Sequence, residues 1–176
     1  FDWVKEEYNK SGTWEPKTTQ YVEEHLKAGQ TFLDVGANVG YYSILASQLG
    51  AKVIAFEPSE NNRTLLEKNT KDYDIQIFSQ ALSNQNGSTI LYTDTTPGQY
   101  SIFGSGNGEK VETVIYDSLW LPIPDMIKLD CEWAERSVLE GMEEILTTKN
   151  PITILLEDWK GDVTDWLIRT HGFNLV

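Results

Sequence analysis

The sequence predicts an α/β fold in which a mostly parallel, doubly wound sheet carries helices on both faces. Three observations predict it. Short apolar runs alternate with segments of helical period along the chain. The first such run ends in a glycine-bearing turn that leads into a helical segment. Finally, 176 residues, 40% of them apolar, suffice to bury one sizeable core.

Thr13 and Pro16 open a short helix whose apolar positions Tyr21, Val22 and Leu26 lead to Gly29. A strand is expected over 31–35 and a helix over 41–49, stopped by Gly50. The same alternation predicts strand 52–56, helix 60–69, strand 75–78, strand 126–129, helix 135–146, strand 152–156 and helix 162–170. Between the third and fourth of these strands the rhythm changes: 88–92 and 111–116 read as strands with no helix between them, expected to pair at the sheet margin. The segment 93–110 joins them and holds Pro97, Gly98, Gly104, Gly106 and Gly108, so a mobile loop that closes over an acceptor is expected. The chain starts at Phe1 and stops at Val176 inside an apparent strand, and the expectation is a part of a longer polypeptide with covalently linked neighbouring domains. It divides into an N-terminal helical segment, 1–30, and a cofactor-binding domain, 31–176.

Fourteen Lys and Arg against 27 Asp and Glu leave a net charge of −13, which repels phosphate backbones and anionic headgroups. No nucleic acid partner and no membrane insertion are therefore expected. No apolar stretch reaches the length of a membrane span and no charged start leads into a signal core, so a cytoplasmic location is expected. Cys131 is the single cysteine; with two histidines it can form neither an internal disulfide nor a typical structural zinc site. A small buried filler is the expectation for it.

In an open parallel sheet, ligands bind beyond the carboxyl ends of the strands near the point where strand order reverses. The first expected strand runs into Asp34-Val35-Gly36-Ala37-Asn38-Val39-Gly40, where Gly36 lets the backbone turn against a ligand and Gly40 lets the next helix start close to the sheet. The second ends in Phe56-Glu57-Pro58. Glu57 lies 21 residues beyond Gly36, the spacing at which one carboxylate accepts both hydroxyls of a ribose. A dinucleotide fingerprint wants a third glycine and a phosphate loop wants a glycine-lysine-serine/threonine run, and neither occurs. Asp34 is expected to point a carboxylate into the cavity beside the turn, where it suits a cationic amino acid tail better than a pyrophosphate. That chemistry is S-adenosylmethionine's, and an NAD-dependent enzyme is the alternative that the glycine count disfavours.

The run from Asp34 to Ser43, then Phe56-Glu57-Pro58, then Ala81-Leu82-Ser83 before Gly87, then Ile127-Lys128-Leu129-Asp130 with Glu132, Ala134, Glu135, Val138, Leu139 and Gly141 resembles the FkbM-like S-adenosylmethionine-dependent methyltransferases. The resemblance covers about 31–157 and implies a Rossmann-like class I methyltransferase fold. It also implies that Asp34, Gly36, Ala37, Asn38, Gly40 and Tyr42 hold the methionine part, Glu57 and Pro58 the ribose, and Gln80, Ala81 and Leu82 the adenine edge. Members of the family mostly methylate hydroxyls, often on sugars, so a sugar or glycan acceptor is implied here. One departure matters. The family usually reads aspartate, valine, glutamate, glycine after the fourth strand, whereas here Asp130 is followed by Cys131, Glu132 and Trp133. A tryptophan in place of the glycine fills space at the substrate mouth, which keeps a non-catalytic nucleoside-binding module open as an alternative.

The residues themselves favour oxygen as the acceptor atom, because the asparagine or aspartate, two prolines and an aromatic that amino-methylating enzymes place after the fourth strand are missing. A sugar hydroxyl has a pKa far above 7, so its attack on a sulfonium methyl needs a base or a metal. Asp130 ends one expected strand and Glu157 and Asp158 end its neighbour, so these three carboxylates are expected to converge as ligands for Mg²⁺ or Mn²⁺. Glu132 and Lys160 are the candidate bases beside Asp130 and Asp158. His25 and His171 lie late in helices and are expected to be structural. Trp133 and Trp159 flank the same site, where their indoles either stack on a sugar or pack the core.

Overall fold

The computed structural model describes residues 12–92, 100–102, 104–148, 151–158 and 160–176. In chain order its elements are α1 (Pro16–His25), β1 (Thr31–Val35), α2 (Tyr41–Gln48), β2 (Lys52–Phe56), α3 (Glu60–Asn69), β3 (Ile75–Phe78), β4 (Ala81–Leu82), β5 (Gly87–Tyr92) and β6 (Gly108–Val114). A 3₁₀ turn (Tyr116–Ser118) leads to β7 (Met126–Leu129), α4 (Glu135–Glu140), α5 (Glu143–Leu146), β8 (Thr153–Leu156) and α6 (Asp162–Trp166).

Five strands form one sheet in the order β3-β2-β1-β7-β8, and every neighbouring pair is parallel. The chain steps outward from β1 through β2 to β3 and then returns to the other side of β1, so the order reverses beside β1. Alternation along the strands divides the core in two. Phe32, Val53 and Met126 face α1 and α2, packing with Val22, Leu26, Tyr42 and Ala46. Leu33, Val35, Ile54, Phe56, Ile127 and Leu129 face the other way, onto Val138 and Leu139 of α4, Ile145 and Leu146 of α5, and Leu82 and Tyr116. Helices on both faces of a parallel sheet are the doubly wound arrangement that the alternation predicts.

The differences from the sequence reading are local and have tertiary causes. The expected hairpin does not join the margin of the main sheet: β5 and β6 pair antiparallel, β4 pairs parallel with β6, and the three make a separate sheet. The turn after β3 carries the chain out of the main sheet, so β4 finds its partner in β6. The helix expected over 135–146 is broken between α4 and α5. At the break a side chain on Gly141 would put a Cβ 2.0 Å from the Ser83 carbonyl oxygen. The carboxylate of Asp117 there accepts from Glu144 N at 2.7 Å and caps α5. Glu15, not Thr13, is the residue before α1, and it makes no side-chain cap bond. The expected last helix ends at Trp166 in a wider turn of π type, Leu167–His171, and residues 172–176 form no strand. Among the described residues no helix is long and apolar enough to cross a membrane.

Leu139 of α4 is fully buried in the larger core. Leu139→Ala is expected to cost about 2–5 kcal/mol of unfolding free energy by urea denaturation, the range for truncating a buried leucine.

Candidate functional site

Three strand ends meet at a single turn. After β1, the N–H groups of Gly36 and Ala37 both donate to the Phe56 carbonyl of β2, at 3.0 and 3.1 Å. On the other side Asp130 N donates to the Val35 carbonyl at 3.1 Å. Gly36 has φ +75°, and a Cβ there would lie 1.9 Å from the Asp130 carbonyl oxygen. Its glycine is required by the approach of the turn to the end of β7, not by ligand space. Gly40 has φ +93°, and a Cβ would meet Leu66 Cδ1 at 2.6 Å, so it lets α2 start against α3.

The turn forms one wall of a cleft that opens to solvent. Of the residues expected to hold a cofactor, Gly36, Asn38, Glu57, Pro58, Gln80, Ala81 and Leu82 line it, and so do Asp130 and Glu132. Asn62, Ser83, Tyr100, Ile102, Thr113 and Cys131 line it as well, and the sequence reading missed them as a group because they converge from α3, the small sheet and its flank, the segment at 100–102 and the chain after β7. Glu57 is 5% exposed; its Oε2 accepts from Asn38 N at 2.8 Å and its Oε1 from Ser59 N at 2.9 Å. Burial pushes its carboxyl up to about 7, with these two amides pulling the other way. The side-chain oxygen of Asn38 is buried with no partner, in the wall of the cleft. An acceptor left open beside the turn and a carboxylate at the end of β2 fit the amino and ribose groups of S-adenosylmethionine.

Four of the expected cofactor residues do not line the cleft. Asp34 points away from it: β1 alternates, and Asp34 lies on the α2 face of the sheet, where its Oδ2 accepts from Ser43 Oγ at 2.7 Å. It is 1% exposed, its Oδ1 has no partner, and burial holds its carboxyl above the usual range. Ala37 packs with Ala55 and Leu66. Gly40 serves the contact with α3, and Tyr42 donates its hydroxyl to Glu15 Oε2 at 2.7 Å. Opposite Asp34 in the register stands Lys128, 6% exposed, with its Nζ 3.0 Å from Asp130 Oδ2. The sequence reading gave this lysine no role, although a lysine inside the apolar run Met126–Leu129 is a visible signal.

A second cleft adjoins the first and is lined by Trp133, Glu135, Arg136, Glu157, Asp158, Lys160, Asp162 and Val163 together with Glu132. Glu132 is thus common to both. Burial pushes its carboxyl up to about 7, and Asp130, Glu157 and Glu135 add to the effect. Its backbone and that of Trp133 are left-handed, with φ 52° and 79°. Trp133 therefore stands in a conformation that favours glycine, and it is 53% exposed with Lys160 Nζ 5.2 Å from its ring centre. Trp159 lies outside the described residues, as do 93–99 and 103 of the expected loop. His25 stacks on Tyr21 and His171 packs against Trp166, and neither lines either cleft.

The expected metal ligands Asp130, Glu157 and Asp158 do not assemble. Among the described residues no group of three or more His, Cys, Asp or Glu side chains could hold a metal ion. Asp130 is bound to Lys128, and Asp158 is turned onto α6, its Oδ1 accepting from Gly161 N at 2.9 Å and its Oδ2 from Thr164 N at 2.7 Å. Burial raises the Asp158 carboxyl, but these bonds outweigh it and hold it below the usual range.

Two outcomes are expected from this geometry. Gly36→Ala is expected to cost about 2–4 kcal/mol in thermal unfolding, because the Cβ meets backbone and the turn is left-handed. Glu57 binds its proton more tightly when folded than when unfolded, so its ionisation costs stability: nothing below about pH 4.5, and increasingly up to about pH 7. The ligand-free protein should therefore lose stability across that window, and Glu57→Gln should remove up to about 3 kcal/mol of the loss, as read by denaturation at pH 5 and pH 8.

The Methyltransferase FkbM domain model matches residues 34–175. The structure is similar to that of Methyltransferase FkbM from Methylobacillus flagellatus KT, with a TM-score of 0.62 and 17% identity over 80% of this chain and 37% of that one. An rRNA methylase from Streptococcus thermophilus shares the fold at a TM-score of 0.54 and 14% identity, over 87% of this chain and 77% of that one. In sequence, 71 residues are 34% identical to the Ribosomal protein L11 methyltransferase of Thermotoga maritima, 38% of this chain and 27% of that protein. The chain thus spans about a quarter of that curated relative. These likenesses correct the exclusion of nucleic acid, which was drawn from net charge alone. An rRNA methylase has this fold and a relative is named for a ribosomal protein, and the charge of a whole chain does not describe the surface around one cleft. With the family model matched from the end of β1 to the last residues, over a Rossmann-like sheet whose strand ends form the cleft, the chain belongs to the FkbM methyltransferase domain family.

Proposed function

We propose that the chain is an S-adenosylmethionine-dependent O-methyltransferase that acts on a hydroxyl of a sugar or similarly hydroxylated acceptor, with Glu132 as general base. The observation that carries the reading is Glu132 itself: one carboxyl in the walls of both clefts, pushed up to about 7. A carboxylate whose proton affinity lies near neutrality is matched to taking a proton from an acceptor at ordinary pH.

S-adenosylmethionine supplies an electrophilic methyl on a sulfonium when bound. The residues of this chain do the rest. Gly36 and Asn38 offer the turn and an open acceptor oxygen to the methionine end, Glu57 accepts from the ribose hydroxyls beside Pro58, and Gln80, Ala81 and Leu82 border the adenine. Asp130 adds a negative wall that suits a cationic donor. In the second cleft the exposed face of Trp133 offers a surface for the C–H face of a sugar, and Lys160 and Glu157 offer hydrogen-bonding groups at its rim. Proton removal is assigned to Glu132; Asp130 and Asp158, two of the three carboxylates expected to hold a metal, are bonded to Lys128 and to the start of α6.

Single-turnover transfer of labelled methyl to a panel of hydroxylated acceptors tests the reading. Glu132→Gln is expected to lower the rate about 10²–10⁴-fold while S-adenosylhomocysteine binding stays within about threefold of wild type. Glu57→Ala should do the reverse and weaken binding by about 1.5–3 kcal/mol. Activity should survive exhaustive chelation with EDTA. Full activity of Glu132→Gln, or transfer to nitrogen acceptors alone, would refute the assignment.

A further inference from the structure

Lys128 is a buried cation that none of the roles above uses. It sits in the middle of β7, 6% exposed, with apolar residues on either side. Burial pulls its proton affinity down, but Asp130 and Asp34, then Glu15, outweigh that and hold it above the usual lysine range. The geometry behind this is specific. Asp34 is its partner in the β1–β7 register, on the same face of the sheet. The Tyr42 ring lies with its centre 5.1 Å from Nζ, and the hydroxyl of that tyrosine donates to Glu15. The ammonium therefore faces the Tyr42 ring of α2 and lies in the field of Asp34 on β1 and of Glu15, the residue before α1. Its hydrogen bond goes to Asp130 Oδ2, at 3.0 Å, and Asp130 is the one member of this group that also lines the donor cleft.

An arrangement that only neutralised charge would need no link to the cleft, and one that only packed the sheet would use an apolar residue, as the neighbouring positions of β7 do. We infer that Lys128 is a positioning residue that acts through Asp130: anchored on the α2 face of the sheet, its ammonium sets the direction of the Asp130 carboxylate in the wall of the donor cleft. The inference rests on reading that cleft as the S-adenosylmethionine site. It also gives Asp34 a purpose other than contact with ligand, as the buried carboxyl on β1 that stands opposite the lysine in the register.

Calorimetric binding of S-adenosylmethionine to the whole chain tests it, using Lys128→Met, Lys128→Arg, Asp130→Asn and the double variant Lys128→Met/Asp130→Asn. Each of Lys128→Met and Asp130→Asn is expected to weaken binding about five- to tenfold, roughly the effect of one charge-assisted contact. The double variant should be no weaker than the weaker single to within about twofold, since both changes remove one linked contact. Lys128→Arg should restore binding to within about threefold of wild type, which a loss of packing alone would not produce. Wild-type affinity in Lys128→Met, or losses that multiply in the double variant, would overturn the inference. Should Lys128→Met fail to fold, Lys128→Met/Asp34→Asn replaces the opposing buried carboxyl as well, and the same comparison is made in the Asp34→Asn background. If wild-type protein binds no S-adenosylmethionine, the reading of the cleft falls and this inference with it; if wild type binds and the cycle is additive, only the inference falls.

Discussion

The structure depends on one close approach, that of the turn after β1 to the end of β7. A glycine in left-handed conformation at 36 lets the backbone run against the Asp130 carbonyl, while its own N–H and that of Ala37 are bonded to β2. Three strand ends are thereby tied at a single point, and the tie sets the course of the chain beyond each of them. Asn38 is carried over Glu57, Glu57 is carried to the mouth of the sheet, and the chain after Asp130 is turned through two left-handed residues so that Glu132 reaches two clefts at once. The interaction is backbone against backbone. A Cβ at 36 opposes it directly.

Around that point the sheet separates two kinds of chemistry by parity. Residues that alternate onto the α2 face include the charged set Asp34 and Lys128, sealed under α1 and α2. Residues on the other face are apolar up to the strand ends, where Asn38, Glu57 and Glu132 take over at the clefts. Asp130 connects the two, bonded to Lys128 and lining the donor cleft. Both Glu57 and Glu132 are pushed up towards neutrality by burial, but their settings differ. Glu57 is held by two backbone amides and is suited to receiving hydroxyl donors. Glu132 faces Asp130, Glu157 and Glu135, and repulsion among them leaves it ready to hold a proton.

The fate of the expected metal ligands shows how proximity in a topology differs from convergence. Asp130, Glu157 and Asp158 do come after adjacent strands, as the strand order requires. Each carboxylate still has only one direction to point. Asp158 satisfies two amide groups at the start of α6 and Asp130 satisfies a buried ammonium, and these bonds are available locally with no ion. Bulk charge was misleading for a similar reason: a net −13 counts every carboxylate on the chain, including those that cap helices and pair with lysines, and says little about what a cleft admits.

Strand positions were legible from the sequence alone because period and turn chemistry are local. Four of the five strands of the main sheet have the bounds that the apolar runs mark, and the fifth begins one residue later, at Thr153. Glu57 and the Gly36–Gly40 turn were legible for the same reason, since their spacing is dictated by one strand–helix–strand unit. The parts that only the tertiary structure decided are those in which distant segments compete for one group. Gly141 stands at the break between α4 and α5 where the Ser83 carbonyl passes too close for a Cβ, β4 leaves the main sheet for β6, and Asp34 turns to Ser43 instead of to a ligand. The sequence by itself determined which residues stand at the strand ends; only folding decided where their side chains point, because a side chain's direction is set by the partners that packing brings within hydrogen-bond reach.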